Sequence, residues 1–192
     1  AAGERRATYR TVRPSLTRIE AAALADFRAR LKQILPAGAL QSLILYGSKA
    51  RGETHRGSDV DLLVVHRDIS PEERSAIDDL LWEFHTALDI EPYLEVMVKP
   101  VNEIREAENI GIPFMQNVAR DGIVLEGAPI VITKIDKRAI AMQHLEKARR
   151  ALISAKWMTD NGDYAGAVSK TYFVFLDLAD AGLVTKGVTP QS

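Results

Sequence analysis

The chain contains no cysteine, which excludes disulfides and thiolate-bound metals and agrees with a reducing compartment. It has almost no net charge: 25 basic against 26 acidic side chains leave a formal charge of −1. No global field therefore draws it to nucleic acid or to an anionic membrane, and any basic character must be local. No apolar run approaches the roughly 20 residues needed to span a bilayer. The N-terminal stretch AAGERRATYRTVR carries charge but no apolar segment, so it does not read as a secretory signal. The expected location is the cytoplasm. What remains is ordinary for a globular protein: 192 residues, 46% of them hydrophobic and 27% charged, enough for one domain with an appendage and a core that needs no staples.

Hydrophobic periodicity divides the chain. Residues 1–14 are basic and unpatterned, a loose arm. Ile19, Ala22, Ala23, Phe27, Leu31 and Ile34 recur at helical spacing and predict a helix from Ser15 to about Leu35, stopped by Pro36. Leu40–Tyr46 reads as a strand. Gly47 and Ser48 turn the chain into a loop, Lys49–Gly57, with at most one helical turn. Val60–Val65 is nearly all apolar, as in a strand covered on both faces. Ser70-Pro71-Glu72-Glu73 supplies a cap, a proline and first-turn acids for a helix reaching about Leu88. Tyr93–Val98 predicts a third strand, Val101–Asn109 and Pro113–Asp121 short helices, and Ile123–Leu125 a short strand. Gly127-Ala128-Pro129 marks a boundary, after which Ile135–Thr159 and Tyr164–Val184 form a helical hairpin around the Asn161-Gly162 turn. The expected fold is α+β: a small mixed sheet with helices over residues 15–128, then a C-terminal antiparallel helical hairpin over 134–192.

The chemistry concentrates in LYGSKARGETHRGSDVDLLVV, residues 45–65. Asp59 and Asp61 are two apart at the mouth of a strand, so they share a face. Their carboxylates repel, more so if buried. A hard divalent cation between them removes the repulsion, and magnesium is usually held by one or two carboxylates together with substrate phosphates. Gly47 lets backbone N–H groups approach a ligand closely. Ser48 adds a hydroxyl, and Lys49, Arg51 and Arg56 add positive charge. Acids for metal beside donors for phosphate are what a metal–nucleoside triphosphate site requires. His55 in this loop reads as solvated, His66 and Arg67 as surface, and Trp82 and Phe84, on the connecting helix with His85, as packing.

These residues resemble the nucleotidyltransferase family related to DNA polymerase beta, whose signature is an apolar residue, Gly-Ser, a spacer and Asp-x-Asp. Here Tyr46-Gly47-Ser48, ten residues and Asp59-Val60-Asp61-Leu62 fill it. Ala50, Arg51, Gly52 and Ser58 match the minimal members of bacteria and archaea, and Pro113–Ile123 resembles the mostly structural stretch after their third strand. The resemblance implies that Gly47 and Ser48, with Lys49, Arg51 and Ser58, bind the triphosphate of an NTP, expected to be ATP, and that Asp59 and Asp61 bind two magnesium ions. It also implies a third carboxylate on the next strand, acting as metal ligand and general base. Glu91 and Glu95 are the candidates. Glu95 is favoured by its mid-strand place, where an unpaired buried acid is costly. The other reading puts Glu95 on the solvated face of an edge strand.

From about Ile140 the chain resembles the first half of a HEPN domain. The match runs through Leu145-Glu146-Lys147-Ala148, Gly162-Asp163-Tyr164, Ala167–Phe173 and Lys186-Gly187-Val188-Thr189-Pro190. The sequence stops before the Arg-x4–6-His motif of HEPN ribonucleases, so either it is truncated or the hairpin serves as a dimerisation or docking element. A homodimer is expected. The resemblance implies transfer of a nucleoside monophosphate to a hydroxyl on a protein, in a toxin–antitoxin setting, or on an aminoglycoside-like small molecule. The alternative is a non-catalytic, nucleotide-binding or antitoxin-like module.

Overall fold

The computed structural model describes residues 14–53, 58–86 and 94–188, with only the backbone of His85. The expectations for residues 1–13, His55, Arg56, Glu91, Tyr93 and Pro190 lie outside these. The first compact unit runs to Glu106 and takes in Asn117–Val131; the second comprises Ala107–Gln116 and Ile132 onward.

In the first unit, α1 (Arg18–Ile34) begins three residues later than its apolar pattern suggests, because Thr17 caps it. Thr17 Oγ1 accepts from the Glu20 N–H at 3.2 Å, and Glu20 Oε2 accepts from the Thr17 N–H at 2.8 Å, a reciprocal capping box. Four strands follow in a mixed sheet ordered β3-β2-β1-β4: β1 (Leu40–Tyr46), β2 (Val60–His66), β3 (Leu94–Pro100) and β4 (Ile123–Gly127). β1 pairs antiparallel with both β2 and β4, and β2 pairs parallel with β3. The parallel pair needs a crossover, which contains α3 (Pro71–Thr86). A one-turn helix, α2 (Gly47–Arg51), starts at the glycine itself.

Alternation along the strands splits the sheet into two faces. Leu43, Leu45, Val60, Leu62, Val64 and Leu94 pack with Phe27, Leu31, Ile77 and Leu80 of α1 and α3 in the main core. Phe27 and Phe84 meet edge to face at 5.7 Å. Ile44, Leu63 and Val65, offset by one residue, are equally buried. The near-continuous apolar run of β2 thus has the expected cause: both faces are covered. Two expectations fail here. Trp82 is not packing but 69% exposed, and His66 is not surface but buried, its Nδ1 lying 2.6 Å from the Arg67 carbonyl.

The second unit is dominated by α6 (Lys137–Asp160) and α7 (Tyr164–Thr185), capped by Asp136 and Asp163. It also receives parts of α4 (Val101–Ile110) and α5 (Pro113–Asp121). Besides Ile140 and Val184, the buried residues of α6 and α7 recur every seven positions and are mostly alanine, Ala141, Ala148 and Ala155 on one helix and Ala167, Val174 and Ala181 on the other. That period keeps one seam facing the partner helix. Among the described residues no helix is long and apolar enough to cross a membrane.

Candidate active site

The acids of the Asp-x-Asp stretch stand where β2 enters the sheet. Asp61 is the register partner of Tyr46 on β1 and of Glu95 on β3. Directly opposed residues point to the same side of a sheet, so Tyr46, Asp61 and Glu95 form one row across three strands. Asp59, two residues earlier, extends it. The site occupies the end of the face opposite the α1–α3 core.

The electrostatics reflect this crowding. Burial, then the Glu95 and Asp59 charges, push the Asp61 carboxyl up to about 6, with Arg51 offsetting part of the effect. Burial, Asp61 and Glu95 push the Tyr46 phenol up to about 12. Tyr46 is thus a fourth member of the row, which the sequence offered only as the apolar residue before Gly-Ser. Among the described residues no basic side chain forms an ion pair with Asp59, Asp61 or Glu95. The donors are oxygens and the row is acidic, so it fits a hard divalent cation.

Gly47 closes one side of the row. Its φ is +72°, and a Cβ built there would fall on Asp61 Oδ2 and 2.8 Å from Asp61 Cγ. The turn therefore lies against the carboxylate as only glycine permits. Ser48 follows, half-buried, and its backbone carbonyl accepts from the Glu53 N–H at 3.0 Å. Arg51 is at the exposed rim with Nε 2.8 Å from Glu53 Oε2. Ser58, half-buried, immediately precedes Asp59.

Lys49 departs from expectation. Its side chain is buried and its Nζ donates to Glu20 Oε1 at 2.8 Å, so its ammonium is not available for phosphate. The sequence carries no direct sign of this pairing, although Thr17-x-x-Glu20 marks Glu20 as a capping residue. Glu95 is exposed on the edge strand β3 rather than buried mid-strand, and it is the register partner of Asp61.

A model of the nucleotidyltransferase domain matches residues 24–122, just over half of the chain. The chain belongs to the nucleotidyltransferase domain family. The matched span of this nucleotidyltransferase runs from α1 through α5 and includes the whole acidic row and the Gly47–Ser48 turn. No curated protein sequence matches the chain. Among solved structures, the nucleotidyltransferase is similar to a toxin–antitoxin with AMP-PNP, at 27% identity over 69% of this chain and 94% of that one, with a TM-score of 0.36. It is also similar to the spectinomycin adenyltransferase AAD(9) of Enterococcus faecialis with ATP and spectinomycin, at 13% identity over 88% of this chain and 91% of that one, with a TM-score of 0.42. A nucleotidyltransferase-like protein of Exiguobacterium sibiricum 255-15 aligns at 12% identity over 88% of this chain and 59% of that one, with a TM-score of 0.40.

A second group of titratable side chains belongs to the hairpin. His144 Nδ1 lies 3.1 Å from Asp177 Oδ1 and 4.0 Å from Asp180 Oδ2. All three side chains are partly buried.

Proposed function

We propose that this nucleotidyltransferase moves a nucleoside monophosphate from a nucleoside triphosphate, ATP first among them, to a hydroxyl acceptor. Asp59, Asp61 and Glu95 hold magnesium; Gly47, Ser48, Arg51 and Ser58 hold the triphosphate. The observation that carries this reading is the row of Asp61 and Glu95 across two paired strands, with a glycine turn laid against the Asp61 carboxylate. Magnesium bound there would neutralise phosphate charge as it develops on the leaving group. The acceptor oxygen forms a bond to the α-phosphorus, the bond from that phosphorus to the β-bridging oxygen breaks, and pyrophosphate leaves. The acceptor proton passes to Glu95, whose exposure gives an acceptor access. The remaining work of the site is positioning.

We further infer that the hairpin is a HEPN-like segment and that through it the chain forms a homodimer. Supporting this are the seven-residue seam and a set of exposed aromatic side chains, Trp157, Tyr164, Tyr172 and Phe175. Incubation with magnesium and α-labelled ATP, with and without Asp59→Asn/Asp61→Asn, tests the core of the proposal. Wild type should bind ATP only with the divalent ion, release pyrophosphate when a competent acceptor is added, and lose both properties in the double variant. Wild type that fails to bind ATP with magnesium present would refute the reading.

A further inference from the structure

α2 has five residues, too few to persist on hydrogen bonds of its own, since nucleating a single turn is unfavourable. Something else must hold it, and with it the Gly47–Ser48 turn that it begins. Three contacts do so. Ala50 is buried. The Ser15 N–H donates to the Lys49 carbonyl at 3.0 Å. The Lys49 ammonium donates to Glu20 Oε1 at 2.8 Å, while the other Glu20 oxygen takes the Thr17 N–H.

The Glu20–Lys49 pair is the unusual member. Both residues are at least 95% buried, with exposures of 5% and 4%, and burying two charges is expensive enough that an apolar pair of the same volume is often as stable. Stability alone therefore does not account for it. What an ion pair adds over an apolar contact is direction: one carboxylate oxygen fixes one ammonium. Glu20 is itself fixed, because its second oxygen closes the capping box of α1. The chain of constraint runs from the α1 N-terminus through Glu20 and Lys49 to a turn already packed on Asp61.

We infer that Glu20 and Lys49 are positioning residues: their buried ion pair sets the Gly47–Ser48 turn against the acidic row and so sets the affinity for the triphosphate, without touching nucleotide or metal. This rests on the proposed role of Gly47 and Ser48, and the test separates the two. Lys49→Met and Glu20→Gln should each lower the melting temperature, since each strands a buried charge. The double variant Glu20→Gln/Lys49→Met keeps both shapes and the cap acceptor and should recover most of that loss. It should nevertheless bind magnesium–ATP about tenfold more weakly, bind manganese alone as wild type does, and show faster amide exchange at Gly47–Ala50. A double variant with wild-type ATP affinity and wild-type exchange overturns the inference. If wild type binds no ATP, the functional reading fails while exchange at Gly47–Ala50 still decides the positioning role. If the double variant does not fold, Glu20→Asp, which keeps the charge but withdraws it by one methylene, should show the same weakening and faster exchange; wild-type behaviour there overturns the inference.

Discussion

Asp61 sits where its neutral form is favoured. Burial and the charges of Glu95 and Asp59 raise its carboxyl from the ordinary 3.8 to about 6. In the unfolded chain the proton leaves near the ordinary value, so between these two pH values the folded state binds more protons and stability falls as pH rises. The contribution is fully present below about 3.8 and lost as pH climbs through about 6. Because the residue is half-exposed, solvent screening reduces the effect to about 1 kcal/mol. In EDTA, Asp61→Asn should therefore be more stable than wild type at pH 8 by about this amount and indistinguishable at acid pH; urea midpoints at both pH values check it. A less stable variant at pH 8 would contradict the crowding. Gly47 gives a second test at the same scale. An alanine there must adopt a left-handed φ and place its methyl group on the Asp61 carboxylate, costing about 1–3 kcal/mol and abolishing nucleotide binding. Gly38 has a similar φ of +80° with open space around it. Gly38→Ala should cost at most a similar backbone term and leave nucleotide binding intact.

At the level of elements, legibility in the sequence follows locality. β2 is readable because burial on both faces writes a continuous apolar run, and α3 because cap, proline and acids coincide at its start. The Gly-Ser turn and the paired aspartates are readable because five or six residues of local chain carry them. Lys49 is not readable. It shares its basic character with Arg51 and Arg56, and only the tertiary placement of α1 puts a buried carboxylate beside it. The partnership of Asp61 with Glu95 depends on the register of two parallel strands joined by a crossover, which no local pattern specifies. The same limit applies to α2, whose stability is entirely tertiary. The hairpin lies between these cases: its helices are periodic, but which stripe faces inward is settled by residue size. Mostly alanines occupy the seam, with Ile140, Val174 and Val184 buried beside them, and the aromatic residues face out. Ala148→Leu should then overpack the seam and destabilise the protein by about 1–3 kcal/mol. Met142, on the same helix but 58% exposed, should tolerate Met142→Ala within about 0.5 kcal/mol. Thermal denaturation of the two variants separates these expectations, and equal losses would mean that the seam is misassigned.

Over the whole molecule, the balance of burial is uneven. The first unit encloses most of its large apolar side chains in a core between sheet and helices, Trp82 and Ile19 being among the exposed ones. The second turns many of its own outward: Trp157 is 64% exposed, Tyr164 68%, Tyr172 64% and Phe175 69%. An aromatic side chain buries about 150–250 Å² when covered, so these four leave a substantial apolar area to solvent. With a net charge of only −1, little long-range repulsion opposes association of two copies. A second hairpin packed on this surface would convert two helices into four and cover the same residues on both chains, as an isologous contact does. Sedimentation equilibrium should therefore show a dimer that dissociates on dilution by mass action. Phe175→Glu or Trp157→Glu should shift it to monomer with little change in helix content, because the substituted positions are solvent-facing within one chain. A wild-type protein that remains monomeric at every accessible concentration would rule out self-association through the hairpin. A dimer unaffected by both substitutions would place its interface elsewhere.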